Sequence, residues 1–330
     1  MRFLDNLFEL IGMTSLLDCR DKKKEEYYTK EIKPIKFLYR PKTLDEYIGQ
    51  EKAKDKVRDV LKIILNYKPL HILLSASAGM GKTSLAQVIA NQLCFKLHTF
   101  IGGSFSMENL RDFLIDNEKS QNPNILFIDE THALKREIAE FMYPIIEDFT
   151  LPNNQNTKIR PFVFIGATTE KSTLEKKFKP FVDRCGCQIQ LESYIIEDIK
   201  KILKQYNSQI YKEKISEEVY QKIAENTRYT PRIAIYYLDI FMVNKNIDKI
   251  LQSNRIITKG LTDIDIKILS HLKEINKPVG EETLSIIGGI DRSDYKKLVE
   301  PYLISEGYIG KIRGGRILLE KGKKLLEEIK

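Results

Sequence analysis

The segment HILLSASAGMGKTS (71–84) constrains the fold more than any other in this chain. An apolar strand runs into a loop, Gly79-Met80-Gly81-Lys82-Thr83, and a helical pattern follows. Small residues at those positions let successive backbone N–H groups turn inward and cradle phosphate oxygens at a helix N-terminus. In such a loop Lys82 reaches the β- and γ-phosphates and the Thr83 hydroxyl sits on Mg2+. The full spacing of the motif asks for a glycine at 76, where this chain has Ala76, whose Cβ restricts the turn.

The surrounding pattern agrees with a strand-loop-helix start. Strand candidates at His71–Ser75, Leu97–Ile101, Ile125–Asp129, Phe162–Ala167 and Gln188–Leu191 alternate with helical stretches near 82–93, 107–116 and 134–147. Alternation of this kind predicts a parallel α/β sheet with covering helices over 34–190, preceded by a charged leader at 1–33. In the leader, Leu4, Leu7, Phe8 and Ile11 have the spacing of a short amphipathic helix. From 191 to 258 the strands vanish and helical periodicity takes over, as in IIEDIKKILKQY (195–206) and SEEVYQKIAENT (216–227), which predicts a small all-helical domain. From 259 to 330 three helices precede a glycine-punctuated ribbon, YIGKIRGGRILLE (308–320), the plan of a winged helix.

Composition narrows the class. With 42% apolar residues the chain can bury real cores, and its apolar runs are strand-sized, far below the ~18 residues of a membrane span. Cys19, Cys94, Cys185 and Cys187 form neither a disulfide framework nor a paired zinc motif. A soluble cytoplasmic protein with no membrane partner is expected. The net charge of +8 permits nucleic-acid binding without showing it.

Two further stretches look chemical. NILFIDETH (124–132) is an apolar strand ending in two acids. Asp129 at the strand end suits Mg2+ through its water shell, and Glu130 suits the orientation and deprotonation of an attacking water. FVFIGATT (162–169) ends in hydroxyls; Thr168 is expected to contact the γ-phosphate or that water, and Thr169 to be a plain strand terminus.

These residues resemble the AAA+ ATPases, and among them the RuvB family of Holliday-junction branch-migration motors. The resemblance runs over 36–317 and is carried by YRPKTLDEYIGQEKAK (39–54), IDETHAL (128–134), YPIIEDF (143–149), FIGATT (164–169), Asp183-Arg184-x-Gly186, LESY (191–194) and TPRIA (230–234). The tail is similar too, in GLTDIDIKIL (260–269), PVGEETL (278–284) and VEPYLISEGYI (299–309). The resemblance implies ATP and Mg2+ as ligands. It puts Tyr39 and Arg40 beside the adenine, Gly79, Gly81, Lys82, Thr83 and Ser84 on the phosphates, and Thr83 and Asp129 on the metal. It implies nucleotide contacts for Glu147, Asp148 and Phe149, packing near the base for Tyr194, and a γ-phosphate sensor on the helical lid for Arg232. Arg184 becomes an arginine finger reaching a neighbouring subunit, with Glu130 and Thr168 completing the catalytic set. Lys311, Arg313 and Arg316 become DNA contacts on the wing. By the same resemblance the chain forms a homo-oligomeric ring, a hexamer, on duplex or four-way-junction DNA. A RuvA-type junction-binding partner would dock on the hairpin between Phe149 and Phe162, which is visibly shorter here than in the family.

The ribbon supports DNA contact independently. Between 311 and 324, Lys311, Arg313, Arg316, Lys321, Lys323 and Lys324 face the single acid Glu320. A basic ribbon of this kind tracks phosphates without reading bases. Two other readings share the ATPase core. A clamp-loader-like switch ends in a helical collar, whereas this chain ends in a wing. A nucleotide-gated winged-helix regulator needs neither Glu130 nor Arg184, and both are present.

Overall fold

The computed structural model describes residues 39–152, 155 and 157–329; the leader and its expected helix lie outside the described residues. Five strands, β1 Ile72–Ser75, β2 Leu97–Ile101, β3 Ile125–Asp129, β4 Val163–Thr168 and β5 Cys187–Gln190, form one sheet in the order β2-β3-β4-β1-β5. Every pairing in it is parallel. β1 and β4 are buried at every position, as parallel strands covered on both faces must be.

The strands sort their side chains with period two. Ile72, Leu74, Ile125, Phe127, Val163 and Ile165 share one core with helices α1 (Glu51–Asn66) and α2 (Lys82–Leu93). Leu73, Leu126, Ile128, Phe162 and Phe164 share the other with α3 (Met107–Lys119), α4 (Arg136–Asp148) and α5 (Lys171–Arg184). The first and last of these five helices lie beyond the expected ones. In α5 the pattern is masked by Pro180 and by Phe178, whose backbone is not helical. β4 lies between β1 and β3, so its C-terminal end falls between the glycine loop and the two acids.

Four helices follow: α6 (Ile196–Ile210), α7 (Glu217–Glu225), α8 (Pro231–Asn244) and α9 (Ile247–Ser253). Pro231 opens α8 at a position where its missing N–H costs nothing. A short hairpin of β6 (Ile256–Thr258) and β7 (Leu261–Thr262) leads into the last unit. There α10 (Asp263–Ile275) starts from a Thr262/Asp265 capping box. α11 (Glu281–Gly288) follows, then α12 (Arg292–Asp294) and α13 (Glu300–Ser305) on either side of a π-helical turn, Tyr295–Val299. The ribbon, β8 (Ile309–Ile312) and β9 (Gly315–Leu318), and α14 (Glu320–Glu328) complete a winged helix around Ile268, Leu269, Leu303 and Tyr308.

One buried histidine ties the sheet together. The Phe164 N–H donates to His71 Nδ1 at 3.0 Å, and His71 Nε2–H donates to Ile146 O at 2.8 Å. A second ring proton would face the Phe164 N–H, so the neutral ring is the one that fits. Burial pushes its pKa down from 6.5 to about 4, against a smaller upward pull from Ile146. Between those values the unfolded chain takes up a proton that the folded chain refuses, so stability falls as pH drops through this window. From about pH 7.5 to about pH 5 the loss from His71 comes to about 2 kcal/mol. Urea unfolding at both pH values should show that loss in wild type and its absence in His71→Gln, which keeps a donor and an acceptor without titrating. Equal pH dependence in the two proteins would rule the ring out as its source.

Candidate nucleotide site and winged-helix ribbon

The glycine loop connects β1 to α2. Gly79 and Gly81 adopt φ of 78° and 92°, the left-handed region that favours glycine. Ala76 is absent from that region, so the missing glycine at 76 introduces no backbone strain. Lys82 begins α2 with only 6% exposure, and its ammonium donates to Ala76 O at 2.9 Å and Ser77 O at 3.2 Å. It thus lies curled inside the loop, where phosphate oxygens would replace the two carbonyls. Burial lowers its pKa, Glu130 and Asp129 pull it up, and Arg232 lowers it further. Ser84 follows within the first turn of the same helix, half-buried.

The acids stand opposite. Thr83 Oγ1–H donates to Asp129 Oδ2 at 3.1 Å, bringing together two hard oxygen donors from α2 and β3. Among the described residues no group of three or more His, Cys, Asp or Glu could hold a metal. Thr83 and Asp129 therefore fit Mg2+ only as part of a shell that phosphate and water oxygens complete. Glu130 sits at φ 50°, and its Oε2 accepts from Thr169 Oγ1 at 2.8 Å.

Here the structure corrects an expectation. Thr168 is fully buried, and its hydroxyl oxygen accepts from the Glu170 N–H at 3.0 Å and lies 3.1 Å from His132 Nδ1. Thr169, expected to be a plain terminus, holds the carboxylate instead. A strand alternates its side chains, so a shift of one residue exchanges the two roles.

The lid and the large domain's own DEYIGQ stretch flank the loop. A Cβ on Gly79 would lie 2.9 Å from Thr230 Cγ2 and 3.1 Å from Arg232 Cβ, so the start of α8 presses on the loop. On the other side, Tyr47 Oη–H donates to Gly81 O at 3.3 Å. Tyr47 and Tyr194 share a hydroxyl hydrogen bond, and burial raises both phenols. Tyr194 is held in place by Gln50, whose side chain donates to Glu192 O at 2.7 Å and accepts from Glu192 N–H at 2.9 Å. Gly49 leaves room for it, since a Cβ there would stand 3.1 Å from Tyr194 Cε1. Tyr47 and Gln50 were not singled out by the sequence, although both lie in the DEYIGQ stretch. Tyr39 is half-buried and Arg40 exposed.

Glu147, Asp148 and Phe149 do not join this site. They end α4, a 13-residue helix about 20 Å long that starts beside Glu130 and runs back along the sheet. Phe149 packs against His71 at the start of β1, ring centroids 5.7 Å apart. Arg184 ends α5, which leaves the C-terminal end of β4 in the same direction, three residues before β5 begins. Its guanidinium donates to Glu147 Oε2 at 2.9 and 2.6 Å and to Pro180 O at 2.7 Å, and lies 5.1 Å from the Tyr143 ring centre. So Arg184 and Glu147 meet at the edge opposite the glycine loop of their own chain. Their topology makes contact with that loop impossible without unwinding two helices.

On the wing the three expected cations separate. Lys311 and Arg313 are exposed. Arg316 is 5% exposed, and its guanidinium is committed to Glu300 and, at 2.9 Å, to Glu281. Lys296, Arg292 and Arg316 together hold the Glu281 carboxyl down at about 2. The Arg316 backbone also forms an isolated antiparallel bridge to Val279. Arg316 therefore pins the wing to α11 and α13 and, contrary to expectation, does not face outward for DNA. Arg228 was missed altogether. From the lid it donates to Gly260 O and Leu298 O, each at 2.8 Å, and to buried Asp265, and it stacks 4.7 Å from the Tyr302 ring. No local pattern marks it, because its partners lie 32 to 74 positions downstream.

Comparison with known proteins fits this geometry. Residues 39–191 match the family described as the Holliday junction DNA helicase RuvB P-loop domain, and 258–327 match the RuvB C-terminal winged helix domain. The Holliday junction branch migration complex subunit RuvB of Mycoplasma genitalium is 35% identical over 313 residues, covering 90% of this chain and 98% of the relative. The protein of that name from Thermotoga maritima is 32% identical over 317 residues, 89% and 93% of the two chains. A solved structure of the Thermotoga maritima RuvB Holliday junction branch migration motor superposes with a TM-score of 0.72 at 33% identity, covering 88% of this chain and 99% of that one. No helix among the described residues is long and apolar enough to cross a membrane. With a phosphate loop, an acid pair, a helical lid and a winged helix in this order, the chain belongs to the RuvB family of AAA+ P-loop proteins.

Proposed function

We propose that this chain is an ATP-driven motor that moves the branch point of Holliday junctions, acting in the cytoplasm as a homo-oligomeric ring on duplex or four-way-junction DNA. The observation that carries the ring is the separation of Arg184 from its own glycine loop. A finger at the far edge completes a site only in a head-to-tail neighbour, and repeated head-to-tail contacts close into rings. Glu147, beside Arg184, belongs to the same outward edge.

Within one subunit, Lys82 and the loop N–H groups around Gly79 and Gly81 bind the phosphates of ATP, with Ser84 next along α2. Thr83 and Asp129 hold Mg2+, which neutralises phosphate charge when bound. Thr169 orients Glu130, and Glu130 takes the proton of the attacking water. Tyr39 and Arg40 border the adenine, and Tyr194 shapes the adjacent wall through Tyr47. Arg232 reads the γ-phosphate from the lid. The test is migration of a synthetic four-way junction by purified protein with ATP and Mg2+. Hydrolysis without junction movement would favour a loading switch, and DNA binding without hydrolysis a regulator. Adding a RuvA-type partner tests the segment after Phe149, whose described flanks pair at Thr150 and Lys158.

Lys311 and Arg313 are the wing's DNA contacts in this reading. The double change Lys311→Ala with Arg313→Ala should lower the slope of log affinity against log salt by about two units, as two phosphate contacts are lost. Arg316→Ala should act differently. It leaves the buried Glu300 carboxylate without its guanidinium, removes one of the cations on Glu281, and lowers the melting temperature by several degrees. An unchanged salt slope in the folded double variant would remove the ribbon from the DNA interface.

A further inference from the structure

The edge of the large domain that carries Glu130 touches the winged helix of the same chain through a line of polar side chains. Glu130 Oε2, already held by Thr169, lies 3.3 Å from His132 Nδ1, which is also 3.1 Å from Thr168 Oγ1. The other ring nitrogen, Nε2, faces Glu170 Oε1 at 3.9 Å. That same Oε1 accepts from Lys297 Nζ at 3.0 Å, and Lys297 lies in the π-helical turn of the winged helix. The rest of Glu170 is fixed as well. Its Oε2 accepts from Thr173 Oγ1 at 3.0 Å, and its N–H donates to Thr168 Oγ1 at 3.0 Å. The Lys297 hydrogen bond is the largest cause holding the Glu170 carboxyl below the usual carboxylate range.

The backbone beside Lys297 is fixed by the lid. The carbonyl of the next residue, Leu298, accepts from Arg228, which stands four positions before the Arg232 that presses on Gly79. Lid and winged helix therefore share the fixing of this turn. π-Helical turns are uncommon and recur at functional sites, where they offset the register of a helix.

We propose that Lys297, acting through Glu170 and His132, is a positioning residue for Glu130, so that the seating of the winged helix tunes water activation in its own subunit. This rests on the reading of Glu130 as the base. His132 sits between two carboxylates. With Glu170 held by Lys297, the ring keeps Nδ1 between Thr168 Oγ1 and Glu130 Oε2, against the carboxylate oxygen that Thr169 holds, leaving the other oxygen to face the water. Without Lys297, Glu170 Oε1 loses its cation while Thr173 still holds Oε2, so the ring's outer partner is less firmly placed and the base spends less time oriented. DNA that lifts or reseats the winged helix would act on turnover through this contact.

The Lys297 and Glu170 side chains are 62% and 33% exposed, so the link is modest. Lys297→Ala should lower kcat about 3–5-fold and leave KM for ATP unchanged, the range an exposed ion pair supports. Lys297→Arg should keep wild-type kcat. The decisive comparison is the same change in a His132→Gln background, assayed without DNA at protein concentrations where specific activity no longer rises. There Lys297→Ala should cause no further loss, because the connection is already cut. An equal loss in both backgrounds, or none in either, overturns the proposal. A wild-type protein that hydrolyses no ATP would instead overturn the reading of the site itself.

Discussion

Lys82→Ala is expected to lose ATP binding, whereas Glu130→Gln is expected to keep it and lose turnover. The two side chains stand at one site but meet different states of the reaction. Lys82 is 6% exposed and curled against two loop carbonyls, so its ammonium is already where ground-state phosphates would lie. Removing it deletes charge-assisted hydrogen bonds worth roughly 1.5–3 kcal/mol each, which puts the loss of affinity at about 100-fold or more. It also leaves Asp129 and Glu130 facing incoming phosphate charge with one cation fewer. Glu130 meets only the water. Its amide analogue keeps the Thr169 contact through its one oxygen and has nearly the same volume, but it cannot accept a proton. A drop in kcat of about 10²–10⁴ at unchanged nucleotide affinity follows from loss of a general base. Titration with a fluorescent nucleotide, paired with phosphate release, separates the two effects. Equal affinity in wild type and Lys82→Ala would refute the assignment of the loop.

The parts that sequence could show share a physical reason. The buried central strands β1, β3 and β4 are near-continuous apolar runs, while the partly exposed edge strands β2 and β5 are placed by their alternation with helical stretches; β2 and β3 agree to the residue. Motifs attached to strand ends, such as Lys82 and Asp129, are brought together by topology alone. What stayed hidden depends on register or on long-range partners. Thr168 and Thr169 are adjacent hydroxyls, and only the pairing of β4 with its neighbours decides which one turns to Glu130. Arg316 looked like every other cation of the ribbon until Glu281 and Glu300, from two other helices, closed around it. Glu147, Asp148 and Phe149 lie within 20 residues of Glu130 in sequence, and α4 carries them to the opposite edge.

The same opposite-edge argument makes Arg184→Ala the most demanding test. In one subunit Arg184 rests on Glu147 and the Tyr143 face, a half-exposed pairing whose loss should barely affect folding. In a ring that guanidinium can exchange the carboxylate for the γ-phosphate of the next subunit, where fork-shaped, charge-assisted hydrogen bonds stabilise transferring phosphate. Turnover should fall by about 10³ or more, the usual effect of removing an arginine finger. Arg184→Lys should rescue little, because a point charge lacks the fork. The trans geometry makes a sharper demand. Arg184→Ala and Glu130→Gln subunits are each inactive alone, yet each carries what the other lacks. In equal mixtures, roughly a quarter of head-to-tail interfaces pair an intact Glu130 with an intact Arg184, so activity should reappear in proportion. Light scattering must show that mixed rings form. If they form and stay inactive, Arg184 does not serve a neighbour, and the outward edge that it shares with Glu147 is an ordinary surface ion pair.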